Sequence, residues 1–195
     1  TEVKKRYPNH AVIVSLMVES RDEWIDIIKR SEDTGADGLE LNFGCPHGMC
    51  ERGMGSAVGQ EPDVLEELVK WVMDAANIPV IAKLTPNISD VRDPAMAAVR
   101  AKADAVSLVN TFQSLIGVDL DRLTPLPRVD AASSHGGYCG PAIKPIALRM
   151  VGQLGREEAF TLPISGIGGI SNLRDAAESI ALGAGTVQGC TAGAA

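Results

Sequence analysis

Short apolar runs alternate with amphipathic stretches along most of the chain. Six runs have the length of β-strands and contain few polar positions, which is typical of parallel strands buried on both faces. They are residues 11–17, 38–42, 79–84, 105–110, 162–167 and 186–190. Amphipathic stretches of helical period separate them, at residues 21–35, 61–77, 93–103, 141–155 and 171–183. This alternation predicts βαβ units and an α/β fold, organised as a single domain over residues 1–195.

Two α/β architectures fit this pattern equally well. An open doubly wound sheet accommodates six strands directly, whereas a (β/α)8 barrel needs eight strands with a helix after each one. In both architectures, ligands bind at the carboxyl ends of the strands. The polar residues that follow the predicted strands are therefore the first candidates for a functional site.

The composition argues against several kinds of partner. The chain has 195 residues, of which 45% are apolar and 22% charged, as expected of a soluble globular protein. Its formal net charge is −7, and its basic runs are short, which argues against nucleic acid or an anionic membrane as partner. We find no membrane-spanning run and no signal peptide, so a cytoplasmic location is expected.

The cysteines and histidines do not have the spacing of a metal site. The four cysteines are Cys45, Cys50, Cys139 and Cys190, and no two of them form a C-x-x-C pair. No metal site is therefore predicted within this chain.

Two strand-associated residues have side chains of chemical interest. Cys45 follows the second strand beside Pro46, where a thiol suits a nucleophile or a proton donor, or else a small buried residue. Lys83 lies inside an apolar run, and a lysine in a buried strand needs a partner. That partner is either an anionic or electron-rich ligand or an acid such as Glu40 on the preceding strand, and the residues alone leave both open.

Amides and glycines mark other strand ends. Asn42 and Asn110 each end a strand, and an amide can both donate and accept, which suits a heterocycle with alternating C=O and N–H groups. The alternative is a local cap or Asx turn. The segment GIGGI at 166–170 follows a strand and precedes a helix, so its N–H groups suit a phosphate at a helix N-terminus, or else it is a tight βα turn.

Five stretches, taken together, resemble the FMN-containing dihydropyrimidine dehydrogenases. They are ELNFGCPHGMCERGMG (40–55), AKLTPNISD (82–90), VSLVNT (106–111), HGGYCGPAIKPIAL (135–148) and PISGIGGI (163–170). Their order and spacing match the family over essentially the whole chain. The resemblance implies a partial (β/α)8 TIM barrel with about strands 3 to 8 present. Residues 1–195 are thus expected to form an FMN-binding barrel domain truncated at both ends.

The resemblance also implies a reaction. It is the FMN-dependent reduction of uracil or thymine to the 5,6-dihydropyrimidine, with hydride passing from flavin N5 to C6 and a proton from Cys45 to C5. A thiol is mostly protonated at neutral pH yet can accept a proton in the reverse direction, and Cys45 is expected on a loop that closes over substrate. Electrons are expected ultimately from NAD(P)H through an NADH-oxidising partner subunit or domain. Iron–sulfur clusters are expected only in family regions outside this chain, and the full-length protein is expected to be oligomeric.

The resemblance assigns further roles residue by residue. The residues expected to contact the pyrimidine are Asn42, Phe43, Gly44, Asn110 and Thr111. The residues expected to bind FMN are Lys83, Gly140, Ile167, Gly168, Gly169, Cys190 and Thr191, with Lys83 near the flavin N1–C2=O region. Three positions depart from the family pattern: Gly44 replaces a serine that touches substrate, Gly189 replaces a branched residue before Cys190, and Lys102 replaces a glycine at a helix end.

Two alternatives remain open at this point. Class 1 dihydroorotate dehydrogenase has a related barrel and also uses a cysteine base, although its loop usually has asparagine where this chain has His47. The other alternative is a truncated, inactive barrel that binds no flavin.

Overall fold

A parallel sheet of six strands forms the centre of the molecule. The computed structural model describes residues 2–45, 54–129, 132–133 and 136–190. The sheet strands are β1 (Ile13–Leu16), β2 (Gly38–Asn42), β3 (Val80–Lys83), β4 (Ala105–Leu108), β5 (Ile164–Ile167) and β6 (Thr186–Gln188). Each lies within one of the six apolar runs, so the predicted strands are confirmed.

A short helix precedes the first strand, and further helices connect the successive strands of the sheet. They are α1 (Glu2–Arg6), α2 (Arg21–Asp33), α3 (Ser56–Gly59), α4 (Pro62–Ala75), α5 (Arg92–Arg100), α6 (Lys144–Leu154) and α7 (Leu173–Ala181). The five predicted helices correspond to α2 and α4–α7, and a short 3-10 helix, Pro141–Ile143, precedes α6. The single-turn helices α1 and α3 were not predicted, because so few residues carry no readable period.

The strand order decides between the two architectures that the sequence left open. Neighbours in the sheet follow chain order from β1 to β6, and all of their pairings are parallel. A doubly wound sheet would reverse its order at a switch point, whereas a barrel adds each strand beside the last. Within the described residues β1 and β6 do not pair with each other, so the sheet is a partial barrel.

Side-chain alternation in the strands separates an apolar face from a polar one. Leu39 and Leu41 of β2 are fully buried in the core. Helix α4 packs Leu65, Val69 and Val72 into the same core, at the spacing of one helical face. The core therefore lies between the sheet and its helices, while the opposite, concave face is left to polar side chains such as Glu40.

The start of α2 follows from a capping box. The Ser20 side chain accepts a hydrogen bond from the Glu23 main-chain N–H, and the Glu23 carboxylate accepts one from the Ser20 N–H at 2.9 Å. These reciprocal bonds satisfy donors that the first helical turn leaves without partners. None of the described helices combines the length and apolar character needed to span a membrane.

The segment between β4 and α6 forms three small antiparallel pairs. Phe112–Ser114 pairs with Gly136–Tyr138, Gly117–Asp119 with Thr124–Leu126, and Arg128–Val129 with Ala132–Ser133. None of the six strands predicted from the sequence lies in this segment. Strands of two or three residues are too short to show alternation, so these pairs escaped prediction.

Lys102 occupies a backbone conformation that favours glycine. Helix α5 ends at Arg100, Ala101 is its C-cap, and Lys102 follows with φ of +63°. This left-handed region is unfavourable for a residue with a Cβ atom. The departure from the family's glycine at this helix end therefore introduces local strain.

We expect Lys102→Gly to stabilise the protein. Relief of the left-handed strain is worth about 1–2 kcal/mol, and the greater freedom of glycine in the unfolded chain offsets about 0.4–1 kcal/mol of it. Urea denaturation should therefore show a net gain of about 0.5–1 kcal/mol in the free energy of unfolding. The matched control is Lys29→Gly on the exposed face of α2, which should lose about 0.5–1 kcal/mol. A loss of stability at both positions would contradict this account.

Candidate active site

A cavity of about 280 Å³ lies at the carboxyl ends of β3 to β6. It is where both candidate architectures place ligands. The residues predicted from the sequence that line it are Lys83, Asn110, Thr111, Gly140, Ile167, Gly168, Gly169 and Cys190. The structure thus brings most of the predicted flavin positions and two predicted substrate positions to one place. Thr191 lies outside the described residues.

Asn42 links the ends of two strands to the segment that carries Cys45. Its Oδ1 atom accepts hydrogen bonds from the N–H groups of Gly44 and Cys45 at 3.2 and 3.1 Å. The same oxygen accepts a third bond, from Asn110 Nδ2 at 2.8 Å. The local Asx turn that the sequence left open for Asn42 is therefore present, and it also fixes Asn110 beside Cys45.

The side-chain amides of Asn42 and Asn110 have N–H groups that remain free to bind a ligand. Asn110 Oδ1 accepts from the Thr111 N–H at 2.8 Å, and Asn42 Oδ1 already accepts three bonds. Asn42 Nδ2 donates to no residue in the part of the chain that the structure describes, and Asn110 Nδ2 retains a second N–H. An amide can both donate and accept in general, but here the unused capacity is for donation, which suits carbonyl oxygens of a ligand.

Gly44 permits the close contact with Asn110. A Cβ atom added at Gly44 would overlap the Asn110 Cβ atom and come within 2.8 Å of its amide carbon and nitrogen. The absence of a side chain at Gly44 therefore has a structural role in this chain, because it lets Asn110 reach Asn42. Since glycine has no side chain, Gly44 cannot make the substrate contact that a serine side chain makes in the family.

The main chain of Cys45 is held on both sides. Its N–H donates to Asn42, and its carbonyl oxygen accepts a hydrogen bond from the Ser56 N–H at 3.1 Å. The residue is half-buried at the end of the described segment 2–45. Most of the loop predicted to close over substrate, residues 46–53, lies outside the described residues.

Phe43 does not present its side chain to the cavity. The ring is buried in the core and lies 6.4 Å from the Trp24 ring of α2, measured between centroids. The expected substrate contact by Phe43 can therefore involve only its main chain. Alternation explains this placement, because Phe43 continues the inward face of Leu41 while its neighbour Asn42 takes the opposite face.

Lys83 makes the ion pair that was one of its two predicted environments, and it also lies at the cavity. Its ammonium lies 3.0 Å from Glu40 Oε1, which is the predicted pair with the preceding strand. The residue also lines the cavity, and among the described lining residues it alone has a charged side chain. An ion pair and a ligand contact are compatible here, because an ammonium has three N–H donors.

The glycine turn after β5 has a backbone that only glycine adopts easily. Gly168 and Gly169 have φ of +132° and +70°, and Gly140, which lines the same cavity, has φ of +88°. A Cβ atom added at Gly168 or Gly169 would lie 2.8 Å from the Ala147 Cβ or the Gly140 carbonyl oxygen respectively. Within the described residues, the N–H groups of Gly168, Gly169 and Ile170 donate to no protein acceptor. A turn with several unpaired N–H groups suits an anion such as a phosphate.

The N-terminus of α7 is already capped by side chains. Asn172 Oδ1 accepts from the N–H groups of Arg174 and Asp175 at 2.9 and 3.1 Å. Asp175 Oδ2 accepts from the Ser171 N–H at 2.9 Å. An anion is therefore expected on the glycine turn itself rather than on the first turn of the helix.

Asp175 also connects the turn to α6. Lys144 Nζ donates to Asp175 Oδ1 at 2.7 Å, and this bond is the main reason that the pKa of Asp175 lies below its usual range. The Ser171 N–H lowers the pKa further. Asp175 therefore remains charged at neutral pH and holds Ser171, the residue that follows the glycine turn.

Several cavity residues were missed by sequence reasoning. Gln188 and Cys139 line the cavity, and Asn87 braces it by donating from Nδ2 to the Thr111 carbonyl oxygen at 3.1 Å. Gln188 had a readable signal, since it shares a strand face with Thr186 near the carboxyl end of β6. Among the described residues, no group of three or more His, Cys, Asp or Glu side chains is arranged to hold a metal ion.

Comparison with known proteins identifies the family. The sequence model of the dihydroorotate dehydrogenase family matches residues 1–194. The chain therefore belongs to the dihydroorotate dehydrogenase family, which is a broader group than the one its motifs resemble.

Two curated relatives are dihydropyrimidine dehydrogenases, which confirms the resemblance drawn from the motifs. The chloroplastic dihydropyrimidine dehydrogenase (NADP(+)) of Arabidopsis thaliana is 43% identical over 194 residues, covering 97% of this chain and 46% of that protein. The NAD-dependent dihydropyrimidine dehydrogenase subunit PreA of Escherichia coli is 42% identical over 187 residues, covering 95% of this chain and 45% of that protein. The chain thus spans about half the length of these relatives.

Other relatives carry the name of the wider family. The catalytic subunit of dihydroorotate dehydrogenase B (NAD(+)) from Pyrococcus abyssi is 40% identical, covering 96% of this chain and 59% of that protein. A crystal structure of DHODH from Eimeria tenella in complex with ferulenol superposes with a TM-score of 0.70 at 20% identity, covering 96% of this chain and 54% of that one. This likeness confirms the partial-barrel fold.

We expect Gly168→Ala to destabilise the protein by about 1–3 kcal/mol, because an alanine at this φ is strained. The added methyl group would also press against Ala147. Urea denaturation of the purified variant measures the loss. The control is Gly117→Ala, where an added Cβ atom meets nothing within 4 Å, and a change within about 0.5 kcal/mol is expected there. Equal losses at the two sites would contradict the role given to this turn.

Proposed function

We propose that the chain supplies the cofactor and substrate site of an FMN-dependent dihydropyrimidine dehydrogenase. The reaction is the reduction of uracil or thymine to the 5,6-dihydropyrimidine. The observation that supports it most is the set of hydrogen bonds that holds Asn42, Asn110 and the main chain of Cys45 together. It gathers amide donors and a thiol-bearing residue beside a cavity that has a phosphate-type turn.

The residues around the cavity fit FMN. The unpaired N–H groups of Gly168, Gly169 and Ile170 suit its phosphate, and the glycines leave space that a Cβ atom would fill. Ile167, Gly140 and Cys190 would line the rest of the cofactor, while the Lys83 ammonium would favour its negatively charged reduced form. When bound, FMN supplies the two-electron chemistry that the side chains of this chain cannot supply.

The protein's own contribution is a proton and a set of donors. Cys45 would give its thiol proton to C5 of the pyrimidine, acting as a general acid. Negative charge that develops on the pyrimidine O4 would be stabilised by the N–H groups of Asn42 and Asn110, whose acceptor oxygens are already occupied. Thr111, which lines the same cavity, would add a further contact to the ring.

A second candidate is oxidation of dihydroorotate, which the family match and the Pyrococcus abyssi relative favour. Its product, orotate, carries a carboxylate, and a buried carboxylate needs a cationic or multiple N–H partner. Among the described lining residues the only cation is Lys83, which the proposal assigns to the flavin, and the N–H groups of the glycine turn are assigned to its phosphate. The described site therefore suits a neutral pyrimidine better.

The electron source is proposed to be NAD(P)H, oxidised in a partner subunit or domain. One relative is named as a subunit of an NAD-dependent enzyme, and the chain spans less than half of that subunit. We assign the described cavity to FMN and the pyrimidine, and we assign the nucleotide site for NAD(P)H to the partner.

The test uses the FMN-loaded full-length protein under anaerobic conditions. The flavin is reduced, uracil, thymine or orotate is added, and the return of oxidised-flavin absorbance is followed. Rapid reoxidation by uracil or thymine supports the proposal. Reoxidation by orotate alone would favour the second candidate, and a purified protein that binds no flavin would contradict both.

We expect Cys45→Ser to bind FMN normally but to react with uracil about 10²–10⁴-fold more slowly, because a hydroxyl is a much weaker acid than a thiol. The rate of flavin reoxidation by uracil is the measurement, and the FMN dissociation constant is the control for site integrity. An unchanged reoxidation rate would remove Cys45 from the proton-transfer role.

Asn42→Asp separates the two functions of Asn42. A carboxylate retains the acceptor for Gly44, Cys45 and Asn110 but lacks the N–H donors, so stability should change little. Substrate affinity should fall about 10–100-fold, as expected for loss of hydrogen bonds to a buried carbonyl. Substrate titration of the oxidised protein gives this affinity.

The matched variant is Asn42→Ala, which loses acceptor and donors together. It should reduce both stability and substrate affinity. If Asn42→Asp binds substrate as well as the unmodified protein does, the donor role is wrong.

A further inference from the structure

Glu40 is a buried carboxylate at the centre of a polar network on the concave face of the sheet. Its Oε1 atom accepts from Lys83 Nζ at 3.0 Å. Its Oε2 atom accepts from Ser107 Oγ and from Gln188 Nε2, both at 2.9 Å. The carboxylate thus joins β2 to β3, β4 and β6, and only 8% of its side chain is exposed.

Glu40 lies below the cavity rather than in its wall. It borders a second cavity of about 610 Å³ on the concave face, and it is absent from the described lining of the upper cavity. Two of its partners, Lys83 and Gln188, do line the upper cavity. Any influence of Glu40 on a ligand there must therefore pass through these partners or act through space.

Both partners are oriented by their bonds to Glu40. Gln188 Nε2 donates to Glu40 and to Ser165 Oγ at 3.2 Å, which uses both of its N–H groups. Its Oε1 atom receives no donor from a described residue and is therefore available as an acceptor. The Lys83 ammonium gives one N–H to Glu40 and keeps two for a ligand.

A buried ion pair needs an explanation beyond stability. The desolvation of two charges offsets most of their attraction, so well-packed apolar residues would stabilise such a site equally well. A network that fixes the direction of a cation and an amide at a ligand cavity has a functional explanation instead.

We propose that Glu40 is a positioning residue that holds the Lys83 ammonium and the Gln188 amide toward the cavity ligand. The inference rests on the proposed function in taking that ligand to be FMN. Lys83 favours the negatively charged reduced flavin, and Glu40 both directs this ammonium and balances part of its charge. Glu40 thereby sets how much more tightly the site binds reduced than oxidised FMN.

The first measurement is the flavin midpoint potential of the FMN-loaded full-length protein. Glu40→Gln keeps the size and one acceptor for Lys83, so the ammonium stays beside the cavity, but it removes the counter-charge. More of the Lys83 charge then acts on the reduced flavin, and the potential should rise. We expect a change of about tenfold in the ratio of the dissociation constants for oxidised and reduced FMN, which is about 30 mV for a two-electron couple. In the Lys83→Met background the same substitution should change this ratio less than about threefold.

The second measurement needs no flavin. Acylation of Lys83 by an amine-reactive ester, quantified by mass spectrometry in the flavin-free protein, reports how firmly its ammonium is held. Glu40→Gln should raise the acylation rate of Lys83 about tenfold relative to Lys29, which lies on the exposed face of α2 in the same molecule. Ser107→Ala, which removes one bond to the carboxylate, should raise it less and keeps the test usable if Glu40→Gln folds poorly.

The control is Glu66→Gln on the outer helices. Glu66 pairs with Lys70 and Arg100, so this variant loses a carboxylate with two cationic partners far from the cavity. Neither measurement should change in it.

The outcomes separate this inference from the proposed function. An unchanged Lys83 acylation rate in Glu40→Gln and Ser107→Ala, or an equal potential shift with and without Lys83, would overturn the positioning role. Failure of uracil and thymine to reoxidise the flavin would overturn the proposed function alone. Failure to bind FMN would also overturn the proposed function. The acylation measurement would still test the role of Glu40, because it uses the flavin-free protein.

Discussion

Asn42 Oδ1 accepts three hydrogen bonds, and the arrangement of the candidate site depends on them. The bonds draw the end of β2, the segment leading to Cys45 and the residue after β4 to one point. They are possible only because the strands between them are parallel and adjacent in chain order, which puts all of their carboxyl ends on the same side. Because the amide oxygens of Asn42 and Asn110 already accept hydrogen bonds, the two side chains can act toward a ligand as donors.

Much of the fold could be predicted because buried parallel strands leave an unmistakable apolar run. The six strands were predicted from these runs, and the five longer helices were predicted from their amphipathic period. The strand order in the structure then selected the barrel. The small antiparallel pairs between Phe112 and Tyr138 could not be found, since two or three residues do not establish a period. Helices α1 and α3 escaped for the same reason.

The candidate site was predicted less evenly. Residues that line the cavity, such as Lys83 and Gly168, were predicted because they lie at the end of a strand or directly after it. The burial of the Phe43 ring could not be predicted, because a family motif gives position along the chain but not the face on which a side chain lies. Gln188 was missed because its sequence signal, a polar residue near the end of a strand, is weak, and its bond to the carboxylate across the sheet is seen only in the structure.

The glycine turn after β5 offers an anion peptide N–H groups and, within the described residues, no charged side chain of its own, while Asn172 and Asp175 occupy the adjoining helix end. Peptide groups do not titrate and carry no net charge. The affinity that this turn contributes should thus be nearly constant across the pH range in which the protein is folded, and only weakly sensitive to ionic strength. In the proposed FMN complex, any strong pH or salt dependence of binding would have to originate elsewhere, in the phosphate itself or in a charged side chain such as Lys83.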